Sequence, residues 1–209
     1  MAGTVLLSTA YFPPADYFSL VAGSDKVRIE KWENYHKQTF RNRCTILGAN
    51  GPLDITIPVL RGSFHKTPIR DLQIDESRRW RDLHLRGILS AYATAPYFEF
   101  YFETIKDVIT KKHRYLLDLN MEALEKMLDV VGIDVRVSFT EEFAGEGMVE
   151  GDFRYLITPK KRVRRDPPKE ARYPQVFSDR YGFVPGLSII DMLLNNGPGT
   201  RALLLRSQV

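Results

Sequence analysis

Apolar residues recur along this chain at two spacings, and the switches between them mark its elements. Thr4 to Thr9, TVLLST, is a short apolar run whose length and Val and Leu content predict a buried strand. AYFPP ends it. Proline pushes the preceding residue out of the helical region, which predicts an extended Phe12, and Pro14 can open a helix where no amide donor is needed. ADYFSLVAG continues at helical spacing to Gly23, and KVRIE reads as the next strand. Strand, short helix and strand predict an α/β unit with two parallel neighbouring strands.

From Lys37 to Leu47 the period is near two: Phe40, Asn42, Cys44 and Ile46 alternate with Thr39, Arg41, Arg43 and Thr45. That predicts a strand with Arg41 and Arg43 on one face. GANGP is a turn cluster, and LDITIPV alternates through Leu53, Ile55 and Ile57. The pair reads as an antiparallel hairpin with a loop of about four or five residues.

Helical spacing then returns. Trp80, Leu83, His84, Gly87, Ile88 and Ala91 form one amphipathic stripe. A second helix starts near Pro96, with Tyr97, Phe98, Tyr101, Ile105 and Val108 on its stripe. Phe100 and Phe102 lie off that stripe, which predicts burial on more than one side. A third helix is expected from its cap Asn120 to its stop Gly132. IDVRVSFT alternates as a strand, Phe153 to Thr158 reads as a strand end, and a short buried helix ends at Asn195-Asn196-Gly197. The predicted fold is one α/β domain over residues 1–209. It has an N-terminal strand-helix-strand unit, an antiparallel hairpin and a helical middle section, with residues 159–175 as a basic, proline-containing loop.

Composition narrows the setting. Of 209 residues 44% are hydrophobic, enough for a sizeable core, and 27% are charged with a formal net charge of only +4. That surplus is weak support for a polyanionic partner. Lys160, Lys161, Arg162, Arg164 and Arg165 form the densest basic run, but no zinc-finger, RNA-binding or glycine-rich nucleotide signature accompanies it, which argues against nucleic acid. Cys44 is alone, so no intrachain disulfide forms, and its count fits a reducing, cytoplasmic setting. No apolar stretch is long enough to span a bilayer, and MAGTVLLSTAYFPP has no basic leader segment. Histidine and cysteine spacing predicts no metal site, and no cofactor is expected. Oligomeric state is open.

Candidate chemistry gathers in EKWENYHKQTFRNRCTI, Glu30 to Ile46. Arg43 can grip a phosphate or carboxylate through two parallel hydrogen bonds, and Arg41 shares its predicted face. The alternative for Arg43 is an ion pair with Asp54 across the hairpin. Glu30 and Glu33 follow a buried strand, where ligand-facing groups of α/β folds collect. Either could act as general base, as could His36. The structural alternative for the carboxylates is a solvated loop or a pair with Lys31 or Arg43. Cys44 would be a thioester nucleophile if exposed, but its register turns it inward. Tyr11 and Pro13 offer a flat edge to a sugar ring or serve only as the strand-to-helix junction. His84 reads as a core histidine.

STAYFPPADYF, ENYHKQTFRNRCTI, LDITIPV, KTPIRDLQID with WRDLHLRGILSAYATAPYFEFY, and YGFVPGLSIIDMLLNNGP occur here in one order, and together they resemble the WbqC-like protein family. The family pattern His-Gln-Pro-x-Tyr-Leu-Pro corresponds to Leu7 to Pro13, with Tyr11 and Pro13 present and the histidine absent. A second pattern falls on Asn34-Tyr35-His36-Lys37 and Asn42-Arg43, with Lys37 displaced by one position. The resemblance implies substrate contacts from Tyr11, Tyr35, Lys37, Asn42 and Arg43, to which the predicted strand face adds Arg41, and a pocket bordered by the Asn195-Asn196-Gly197 turn. It also implies a place beside enzymes that build surface polysaccharides or modified sugars.

Two functional readings follow. One is a cytoplasmic enzyme moving an acyl or aminoacyl group to an amino-sugar nucleotide, with arginine holding phosphates, Glu30, Glu33 or His36 taking the amine proton, and Asn42 or backbone amides steadying an oxyanion. The partner is then a nucleotide sugar or other phosphorylated small molecule. The other is a non-catalytic ligand-binding or scaffold protein of the same pathway.

Overall fold

The elements run β1 (Thr4–Ser8), α1 (Ala15–Ala22), β2 (Lys26–Glu30), β3 (Arg43–Gly48), β4 (Gly51–Thr56), α2 (Trp80–Tyr92), α3 (Phe98–Thr110), α4 (Leu116–Val131), β5 (Arg136–Phe139), α5 (Ser178–Tyr181), α6 (Ile189–Asn196) and α7 (Thr200–Arg206). They come from a computed structural model that describes residues 3–60, 67–145, 151–159 and 171–207. The fold is mixed α/β, as the spacing predicts.

β1, β2 and β5 form a parallel sheet in the order β1-β2-β5. Ser8 pairs with Glu30 at the C-terminal end of the first ladder, and Ile29 pairs with Phe139 at that of the second. β1 buries Val5, Leu6 and Leu7 in succession, as expected of a parallel strand covered on both faces. Its outer edge is not left open. Leu6 donates to the Gly151 carbonyl at 2.9 Å and accepts from the Phe153 amide at 2.9 Å, so residues 151–153 run along it. Gly151 has φ +80°, and a Cβ there would stand 2.7 Å from the Thr4 carbonyl oxygen, so only glycine fits against this edge.

β3 and β4 pair antiparallel from Arg43–Thr56 to Gly48–Gly51, under α2. α6 is buried all round from Ile189 to Asn195, mostly apolar apart from Asp191 and Asn195. Each such Ile or Leu contributes about 1.5–3 kcal/mol of transfer free energy. α4 stops at Gly132, in the left-handed conformation at φ +75°, whose amide returns to the Asp129 carbonyl. Among the described residues no helix is long and apolar enough to cross a membrane.

Several expectations are corrected. Phe12 is not extended: its φ is +37°, because its ring is buried while its carbonyl accepts the Ser188 hydroxyl at 2.7 Å. These tertiary contacts override the pre-proline preference. The strand begins at Arg43, not before, because residues 37–42 form turns and bends with Gln38 at φ +57°. Arg41 and Arg43 therefore do not share a face. The hairpin loop is only Ala49-Asn50, since Gly48 already pairs with Gly51. Phe100 is 75% exposed, so α3 is not buried on that side. Asn120 is no cap: α4 starts at Leu116, which places Asn120 in its second turn. Residues 153–158 form turns rather than a strand end, and α5 is a short helix that the spacing does not predict. The basic run 160–165, and most of the expected 159–175 loop, lie outside the described residues.

Candidate functional site

Parallel β1, β2 and β5 end side by side, and each end delivers polar groups to one buried cluster. Ser8 is the last residue of β1, Glu30 the last of β2, and Thr140 follows β5. The edge segment 151–153 leads directly into Arg154. The remaining members, Glu33 and Arg41, come from the stretch between β2 and β3. That stretch is stitched down by its backbone. The Ile69 amide donates to Glu33 O at 2.8 Å, Tyr35 N to Thr67 O at 2.9 Å, and Tyr11 N to Phe40 O at 2.9 Å.

Two ion pairs form the centre. Arg41 grips Glu33 in a fork, with Nε 2.9 Å from Oε1 and Nη2 2.6 Å from Oε2. The same Nη2 donates to Ser8 Oγ at 2.6 Å, and that hydroxyl in turn donates to the Arg154 carbonyl at 3.1 Å. Arg154 reaches Glu30 Oε2 at 3.2 Å and Asp152 Oδ2 at 2.6 Å. The hydrogen bond to Asp152, with its charge, raises the Arg154 pKa. Glu30 also accepts from Thr140 Oγ1 at 2.8 Å, Trp32 N at 2.8 Å and Ala144 N at 3.0 Å. Glu30, Glu33, Arg41 and Arg154 are all buried.

Taking four such groups out of water costs several kcal/mol per ion, which mutual attraction and hydrogen bonds must offset. The carboxylates of Glu30, Glu33 and Asp152 outnumber the two guanidinium groups, so the cluster does not present spare positive charge. A cavity of about 10 Å³ opens beside Ser8, Tyr17, Arg41 and Arg154, room for about one water. Burial raises the Tyr17 pKa, keeping it a neutral donor, and its hydroxyl donates to the Ser8 carbonyl at 3.0 Å.

Aromatic rings stand around the charges. Arg154 lies 5.4 Å from the Phe143 ring centre and 5.5 Å from that of Tyr155, and Arg41 lies 6.0 Å from Tyr155. His36 approaches Tyr155 edge-on at 5.9 Å. Trp32 is anchored by Nε1 on the Thr140 carbonyl at 3.1 Å, with Arg70 stacked on it at 3.9 Å. Phe143 is 51% exposed.

The structure thus brings Glu30, Glu33 and Arg41 together, though the carboxylates are neither solvated nor paired with Lys31 or Arg43. His36 and Lys37 sit on the exposed turn at the cluster's margin, and Tyr35 is half-buried beside it. Arg43 lies apart on the hairpin, with a side chain 22% exposed and 3.3 Å from Asp54. Asn42 is buried and spends its amide on the Ile57 carbonyl at 2.8 Å. Tyr11 is fully buried, its hydroxyl 3.0 Å from His84 Nδ1, and so shows no edge to solvent. Burial lowers the His84 pKa to about 4. Cys44 is buried, which raises its thiol pKa and keeps it protonated. The Asn195 and Asn196 amides return to the Asp191 and Met192 carbonyls of their own helix.

Ser8, Arg154, Asp152 and Thr140 were not singled out by the sequence. Only the strand-end position of Ser8 could have marked it. Asn120, expected as a helix cap, instead donates its amide to Arg41 O at 2.8 Å and to Thr9 Oγ1 at 3.1 Å, holding the turn that carries Arg41. Among the described residues no group of three or more His, Cys, Asp or Glu side chains is placed to hold a metal ion.

Comparison with known proteins adds a lineage. The model of a family described as the WbqC-like protein family matches residues 9–158, which include every member of the cluster except Ser8. The uncharacterized protein Rv1507c of Mycobacterium tuberculosis is 27% identical over 221 residues, covering 94% of this chain and 95% of that protein. No solved structure matches the chain.

Proposed function

We propose, since this chain belongs to the WbqC-like protein family, that it is an enzyme of surface-polysaccharide or modified-sugar biosynthesis that transfers an acyl or aminoacyl group to an amino-sugar nucleotide. The observation that carries this reading is the charged cluster at the C-terminal ends of three parallel strands, collared by Trp32, Phe143 and Tyr155. Open α/β sheets bind ligands at that edge. Aromatic faces suit the apolar face of a sugar ring, and a cluster richer in carboxylates than guanidinium groups suits an amine. Its phosphates fall to cations outside the cluster, because Arg41 and Arg154 are already engaged.

In the proposed reaction the acceptor amine attacks the carbonyl carbon of an activated acyl donor. The new C–N bond forms, the bond to the donor's leaving group breaks, and the amine proton passes to His36 or Glu33. Arg41 holds Glu33 in position, and backbone amides steady the developing oxyanion. A mass-spectrometric screen of amino-sugar nucleotides with acyl and aminoacyl donors tests this. Product that disappears in Glu33→Gln is expected; neither binding nor product across the panel sinks the reading.

The second reading is a non-catalytic binding protein of the same pathway. It is favoured by the saturation of both arginines and by a cavity of only about 10 Å³. Nucleotide-sugar binding without turnover would select it.

A further inference from the structure

A second opening lies apart from this cluster and shares no residue with it. It is a groove of about 610 Å³, with two walls. Arg78, Arg79 and Arg81, at the start of α2, line one; Lys112, His113 and Arg114, between α3 and α4, line the other. The volume falls in the range of small-molecule sites, about 300–1,000 Å³, and far exceeds a lone phosphate.

The walls are built, not loose. Ile74 N donates to Arg114 O at 3.0 Å and Leu116 N to Leu72 O at 2.9 Å, which ties the segment leading toward the first wall to the second wall. Behind them Leu60 N donates to Gln73 O at 2.9 Å and Asp75 N to Pro58 O at 2.9 Å. Arg81 is clamped by Glu76 and lies over the Trp80 ring at 4.3 Å. His113 Nε2 sits 2.6 Å from Glu122 Oε2, which also takes Lys111 Nζ at 3.0 Å.

Five fixed cations and His113 face two carboxylates, Glu76 and Asp82, in this lining. Those carboxylates engage Arg81 and Arg79. Among the described residues no carboxylate forms an ion pair with Arg78, Lys112 or Arg114; Asp75 still lies within the field of Arg78, so the unmatched positive charge is concentrated on the Lys112–Arg114 wall. Guanidinium groups favour phosphate oxygens through forked hydrogen bonds, and cations on facing walls suit an anion wider than one phosphate. No aromatic face lines the groove, so nothing there selects a base.

We propose that this groove binds the diphosphate group of a small molecule. The shared chemistry is the diphosphate, whether it comes from a nucleotide sugar or a diphosphate-activated lipid.

Calorimetry on the full chain tests it, with inorganic pyrophosphate, inorganic phosphate, UDP and farnesyl diphosphate as probes. Pyrophosphate is expected to saturate one site and to bind at least about tenfold more tightly than phosphate, as an added charge-assisted contact allows. Lys112→Ala/Arg114→Ala should weaken it at least about tenfold, while Lys112→Arg should retain it. These positions are exposed, and circular dichroism checks that the variants fold. Tighter UDP than farnesyl diphosphate identifies the nucleotide source, and the reverse identifies the lipid source. Equal binding of phosphate and pyrophosphate, or no saturation, overturns the proposal. So does loss of binding in Arg41→Lys with retention in the groove variant, which would move the diphosphate to the strand-end cluster. Because Arg41 and Glu33 lie outside the groove, failure here leaves the group-transfer reading standing, and the converse also holds.

Discussion

The side-chain amide of Asn120 donates to the backbone carbonyl of Arg41 at 2.8 Å, across 79 residues of sequence. A helix interior thereby holds the turn from which the Arg41 side chain enters the strand-end cluster. Asn120→Leu should cost about 1–3 kcal/mol, because it strands a buried carbonyl. Urea denaturation checks the value. An unchanged midpoint would mean that the contact carries no net free energy.

The Arg41–Glu33 pair should be sensitive to which partner is lost. Glu33→Leu alone leaves an uncompensated buried guanidinium and should destabilise by about 3–5 kcal/mol. Arg41→Met with Glu33→Leu should recover much of that loss, because neither charge is then buried alone. A double-mutant cycle measures the coupling. If the proposed chemistry is right, the recovered protein is stable and inactive.

Asp191 lies in a buried, uncharged setting, accepting from Tyr173 at 2.8 Å, Tyr92 at 2.9 Å and Gln175 at 3.1 Å. Burial outweighs these bonds and raises its pKa to about 6. An unfolded aspartate titrates near about 3.9, so between the two values the folded chain holds the extra proton. Its contribution is fully present below about 3.9 and is lost as pH rises through about 6. Asp191→Asn should flatten that part of the stability–pH curve. Urea midpoints from pH 3.5 to 7.5 on both proteins decide it, and parallel curves would refute the assignment.

Gly151→Ala should do more than a typical loop substitution. The added methyl meets the Thr4 carbonyl oxygen, and φ +80° is itself unfavourable for alanine. The edge segment must shift, taking Arg154 with it. A stability loss of about 1–3 kcal/mol is expected, together with weaker binding at the cluster. Loss of stability with ligand affinity intact would separate the edge from the site.

Cys44 should resist thiol reagents in the native state and react only on unfolding, because it is buried and its thiol pKa is raised. Rapid native labelling would reverse that conclusion.

Much of the architecture is legible in the spacing. β1, α1 and β2 follow from apolar runs and a proline at the helix entry, and the hairpin follows from its alternation. Cys44 and His84 read correctly as interior residues. What spacing cannot show is the direction of a side chain where the backbone leaves its period. Arg41 is the example: two residues before β3 the chain is in a turn, so Arg41 points to Glu33 while Arg43 stays with Asp54. Arg154 was hidden for another reason. Its partners are set by a parallel edge contact between residues 151–153 and β1, and no local pattern encodes that pairing. Asn120 has the composition of a cap, but a helix that begins four residues earlier turns it into an interior tether.

The two halves of the strand-end cluster are made far apart in time. Glu30 precedes Thr140 by 110 residues and Arg154 by 124. At a ribosomal rate of about 5–20 residues per second, that separation corresponds to roughly 6 to 25 s. A nascent chain through β2 therefore carries a carboxylate whose partners in the folded cluster, the Thr140 hydroxyl and the Arg154 guanidinium, are not yet made.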